Sequence, residues 1–175
     1  MHARLSLGLA LLGLLIANLG PAFAAGSGGT RAEFYLSHES DPSLLRLSVR
    51  LDRVIYALSL AGGKYRAFPV MIENPTGSPR VALSPDEDVF TIIADGHQVR
   101  GILDLAHADP AMWDGLDAGL RQALLYPAAI GPDEARIVYV LAPAAEIPGM
   151  PASFLYAIKS LGRSIELARP APMAD

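Results

Sequence analysis

The feature that most constrains this chain is an alternation. Leu45, Leu47, Val49 and Leu51 take turns with Arg46, Ser48, Arg50 and Asp52. Successive side chains of a strand point to opposite faces, so this pattern makes one apolar face and one wet face. A helix would scatter the same residues around its surface. The segment is therefore predicted to be a strand whose apolar side needs a core, with Arg46 and Arg50 sharing the wet side.

The same period recurs along the chain. Val54 to Leu60 reads as a second strand, ended by Ala61-Gly62-Gly63. Tyr65 to Glu73 is a third, with Val70 and Ile72 on one side. The cluster Asn74 to Pro79 is a turn. Val81 to Leu83, Val89 to Ala94, Gln98 to Leu103, Ala135 to Leu141, Phe154 to Lys159 and Ser164 to Ala168 complete the set. Asp95-Gly96, between two of them, carries the chemistry of a tight hairpin, because both residues tolerate positive φ.

One stretch switches period. Asp109 is suited to an N-cap and Pro110 to the first helical position. Met112, Leu116, Leu120 and Ala123 then recur at helical spacing, with Trp113 and Leu124 beside them. Tyr126-Pro127 stops the run. A single amphipathic helix is expected over residues 110–125, inserted between strands, with Trp113, Leu116 and Leu120 buried. Many short strands with Gly/Pro turns and one helix imply an all-β antiparallel sandwich, since a parallel α/β sheet needs a helix after nearly every strand.

Three stretches also carry a resemblance. Phe68 to Gly77, Val89 to Gly96 and Gly131 to Val140 resemble the strands and turns of bacterial exported immunoglobulin-like domains. The likeness spans roughly residues 65–142. It implies an immunoglobulin-like sandwich and transfers no catalytic residue, because fold does not imply function.

The N-terminus speaks to location. His2 and Arg4 precede an apolar stretch from Leu5 to Leu19, then Gly20-Pro21 and Ala22-Phe23-Ala24. Basic start, apolar centre and small-x-small end are the layout of a cleavable secretory signal. Residues 1–24 are expected to be removed after Ala24, leaving a flexible tether over 25–32, one domain over 33–169 and a disordered tail over 170–175. The apolar run is shorter than the roughly 20 residues needed to span a bilayer, and no mature segment reaches that length. A periplasmic or secreted protein is expected, with no membrane span after cleavage.

Composition narrows the chemistry. The formal charge is −4, and only Lys64 and Lys159 are lysines, so a phosphate backbone is a poor partner and nucleic-acid binding is not expected. There is no cysteine, hence no disulfide, no thiolate metal site and no lipidated cysteine. His38-Glu39 lacks the second histidine of a zinc-protease helix, because Pro42 stands there. His97 follows the hairpin turn, where an exposed polar residue fits. Asp86, Glu87 and Asp88 read as a solvated acidic loop without the pattern of a calcium site. Asp104, Asp109, Asp114 and Asp117 crowd the helix start, where the dipole favours them. No Gly-x-Ser-x-Gly, Ser-x-x-Lys, phosphate loop or dinucleotide fingerprint occurs. The tyrosines at 35, 56, 65, 126, 139 and 156 read as strand packing.

No catalytic, cofactor-binding or metal residue is assigned on these grounds, and no cofactor is expected. The expected function is that of an exported, non-catalytic module binding a protein or envelope component. The alternative is an exported hydrolase or metal-handling protein using His107, Asp109 and the acids nearby. That alternative requires His107 and Asp109 to converge.

Overall fold

The computed structural model describes residues 33–37, 45–51, 59–60 and 63–168. The expected signal peptide, tether and tail, His38 and the first residues of the strand expected from Val54 lie outside them.

The described strands are β1 (Glu33–Ser37), β2 (Arg46–Leu51), β3 (Ser59–Leu60), β4 (Tyr65–Asn74), β5 (Val81–Ala82), β6 (Val89–Ala94) and β7 (His97–Arg100). After a helical segment come β8 (Ala129–Ile130), β9 (Glu134–Pro143), β10 (Ser153–Ile158) and β11 (Arg163–Ala168). Every expected strand with described residues is present in whole or part. β1 and β8 are additions, one short and amphiphilic, the other only two residues long.

The pairing is antiparallel throughout, in the order β9-β4-β2-β1-β11-β10-β6-β7. The sheet then curls until its ends meet. Ile102, just after β7, exchanges two backbone hydrogen bonds with Leu141 of β9, at 2.7 and 3.0 Å. The described strands thus form a curled, antiparallel sheet around the main apolar cluster. The ladder is continuous because β1, the first strand, pairs with β11, the last, and bridges what would be the gap. β5 and β8 form a separate two-stranded ribbon.

The alternation read from sequence sets the inside of the curl. β6 and β10 each bury every second residue. Phe68, Phe90, Phe154 and Tyr156 meet there, with ring centroids 5.3 to 5.7 Å apart in tilted or edge contacts. Leu47, Val49, Val70, Ile72, Ile92, Val140, Ile165 and Leu167 fill the rest. The interior is packed with side chains, as in small closed sheets.

Three local devices make the curl possible. Asp95 and Gly96 both have positive φ, +49° and +77°, which matches a two-residue hairpin between β6 and β7. Gly101 lies where the sheet ends approach, and a Cβ there would strike Val140. Pro69 stands in mid-β4, a position normally hostile to proline. It is tolerated because β4 exchanges partners there: β2 pairs with residues 70–73 and β3 with residues 65–66 on the same side.

The single helix expected over 110–125 is two short ones, α2 (Pro110–Gly115) and α3 (Ala118–Leu124), and an unexpected helix, α1 (Leu105–Ala108), precedes them. Asp104, Asp109 and Asp117 cap them in turn, each side chain accepting the backbone N–H three residues on. The breaks have local causes. Pro110 keeps Asp109 out of helical geometry. Gly115 and the extended Leu116 end α2, and Asp117 restarts the chain. The burial also differs from expectation. Trp113, Leu116 and Leu120 are only half-buried, whereas Leu105 and Leu124 are the buried residues of this segment. Together they pack on Tyr65, Ala67 and Leu141, on the outer face of β4 and β9.

Candidate functional site

The feature most able to engage a partner is the outer edge of β9. Leu141 spends its outward N–H and C=O on Ile102. Positions alternate along a strand, so Tyr139, Ile137 and Ala135 also direct their backbone groups away from β4. Among the described residues, none of those three has a backbone partner on that side. Ala135, Arg136 and Ile137 are exposed, and Ile137 is one of few large apolar residues exposed among the described residues. The edge is anchored below by a firm turn. Asp133 has φ +56°, its carboxylate accepts from Thr76 Oγ1 at 2.8 Å, and Glu134 accepts from the Gly131 N–H at 2.6 Å. The Gly131 N–H, first, and then the Arg136 guanidinium hold the Glu134 carboxyl below its usual range.

β7 forms the opposite edge and is guarded differently. It has four residues, of which His97, Gln98 and Arg100 are exposed. Short, polar edges resist strand addition. β9 has ten residues and carries Ile137 at its open part.

His107 and Asp109, the pair singled out from sequence, are not brought together. His107 is exposed on α1 and lines a shallow cleft of about 370 Å³ with Asp86, Arg100 and Asp104. Asp109 is occupied elsewhere. Its Oδ1 caps α2, and its Oδ2 accepts from Lys64 Nζ at 2.5 Å and Tyr65 OH at 3.0 Å. The Lys64 ammonium, more than the Met112 N–H and the tyrosine, lowers the Asp109 carboxyl pKa; the same bond raises that of Lys64. Among the described residues no three His, Asp or Glu side chains converge as metal ligands would.

The acidic loop held a surprise. Asp86 and Glu87 are exposed, as expected, but Asp88 is buried. It accepts the Ser84 N–H at 2.9 Å, the Lys159 N–H at 2.9 Å and the Tyr126 hydroxyl at 2.7 Å. Since Tyr126 gives its one proton to Asp88, Tyr156 donates to the Tyr126 oxygen. Burial raises both phenol pKa values strongly, so both stay protonated. This cluster ties the loop, the connection after α3 and the end of β10 together. Three adjacent acids gave no signal in sequence that one would turn inward.

Comparison of the chain with known families, with curated proteins and with solved structures yields no match.

Proposed function

We propose that this protein is an exported, non-catalytic module, periplasmic or secreted, that binds a protein or envelope component by adding the partner's strand to β9. The observation that carries the reading is the open, partly apolar edge at residues 135–139, beside a guarded β7. Strand addition takes its affinity from main-chain bonds and its selectivity from alternate side chains. Kinship with exported immunoglobulin-like domains belongs to the same proposal. Its support is the antiparallel strand set around one apolar core and the signal-like sequence pattern of residues 1–24. The hydrolase or metal reading finds less support, because Asp109 is committed to Lys64, Tyr65 and the α2 cap while His107 faces a different cleft.

A photo-crosslinker at Ala135, used in envelope extract, tests the reading. A discrete adduct is expected, lost in Ile137→Pro and absent when the crosslinker stands at Ser164. Ile137 points its N–H away from β4, so proline there removes an outward donor and no ladder bond. Adducts that survive Ile137→Pro, or that form equally from Ser164, would overturn the proposal.

A further inference from the structure

The helical segment between β7 and β8 is built unlike the sheet it covers. Its backbone hydrogen bonds over residues 104–124 all close within the segment. Buried side chains occur only near its two ends, at Leu105 and Leu124; none of residues 106–123 is buried. The middle is held by half-buried Met112, Trp113, Leu116 and Leu120 and by one polar latch. That latch is Asp109. The carboxylate accepts from Lys64 and Tyr65 on the sheet side, and caps α2 on the other. Lys64 also lies over the Tyr65 ring, 5.2 Å from its centroid.

Beneath the segment is an apolar strip of the outer sheet face: Tyr65 and Ala67 of β4, Tyr139 and Leu141 of β9. The strip runs along β9 into the open edge at Ile137 and Ala135. We infer that residues 106–123 are a cover, latched by Asp109, that opens as a unit on the intact sheet and uncovers the part of β9 next to its binding edge. The inference rests on the strand-addition reading only for its purpose, which is to gate access to Tyr139. The opening itself is a property of the free protein. Segments with few buried contacts and self-contained hydrogen bonds are those that open below the global unfolding free energy.

The chain supplies its own reporter, because Trp113 is the only tryptophan and lies in the cover. In the free full-length mature protein, amide exchange over residues 106–123 is expected to run at least about tenfold faster than at Val70 and Val138. Asp109→Ala should widen that gap, raise acrylamide quenching of Trp113 and increase dye binding by the apolar strip. The far-ultraviolet signature of the sheet should persist. Tyr65→Phe, which removes one latch bond and no cap, should move the same readouts less. If residues 106–123 exchange only with the sheet, or Asp109→Ala melts cover and sheet in a single step, the cover does not open separately. If instead the cover opens but the Ala135 crosslinker captures nothing, the gating stands as a motion and the strand-addition reading fails.

Discussion

The inside of the curled sheet and its helix-covered outer face are both apolar, yet they are built to different standards. Inside, Phe90, Ile92, Phe154 and Leu167 have no exposed surface, and each sits on a strand held on both sides. Outside, Met112, Trp113 and Leu120 on short helices and Leu116 between them are half-buried, with buried Leu105 and Leu124 near the two ends and one carboxylate bonded to the sheet side. The difference separates what a domain needs in order to exist from what it can afford to move. Burial contributes roughly 25 cal/mol per Å² of apolar surface, so the larger interior cluster carries most of the fold and the smaller outer cluster less of it.

The sharpest test of that contrast is Phe154→Ala. Phe154 contacts Phe68 and Phe90, so the cavity should cost about 3–5 kcal/mol in denaturant unfolding. A loss below about 1 kcal/mol would erase the distinction. Asp88→Ala comes next. It strands the Ser84 and Lys159 N–H groups and the Tyr126 hydroxyl, and should cost about 3 kcal/mol. Tyr126→Phe should cost less, since Asp88 keeps its two backbone donors. Gly101→Ala follows. Its methyl would press on Val140 where the sheet ends meet, and overpacking of this kind costs about 1–3 kcal/mol.

Leu116→Asp is the matching test on the outer face. Were Leu116 fully buried on a continuous helix, a charge there would cost several kcal/mol. Leu116 is instead half-buried and extended between α2 and α3. The expected loss is about 1 kcal/mol, within the ordinary range for partly exposed sites. A loss as large as that of Phe154→Ala would show that the cover is part of the core.

The two regions also differ in how far the sequence revealed them. Alternation made the strands legible, because one-sided burial leaves a period of two in Leu45 to Leu51 and Val89 to Ala94. Asp95-Gly96 was legible because few residue pairs accept two positive φ values. The closure was not. No local pattern announces that β1 pairs with β11 or that Ile102 meets Leu141; those are long-range contacts set by how far the sheet curls. The helical segment was half legible. Asp109-Pro110 marked a start, but Gly115 and Asp117 were readable stop and start signals inside what looked like one apolar period. Of the candidate site, the residue types His107 and Asp109 were visible and their divergence was not. The open edge of β9 left no composition signal, since an unpaired N–H has no letter in the sequence.

The smallest expected effect concerns pH. Asp109 has its carboxyl pKa lowered, first by the hydrogen bond from Lys64, then by the Met112 N–H and the Tyr65 hydroxyl. A carboxylate whose pKa is lower in the closed state contributes stability above its unperturbed value of 3.8, and that contribution is lost as pH falls from there through the lowered value. The Lys64 partner stays protonated throughout, since its own pKa is raised. Acidification below 3.8 should therefore loosen the cover before it unfolds the sheet. Trp113 emission should shift to longer wavelength while the far-ultraviolet signal holds. The same titration on Asp109→Ala should show no such step, because the latch is already gone. A step of equal size in that variant would assign the acid response to another carboxylate, with Asp104 and Asp117 at the other helix starts as the next groups to replace.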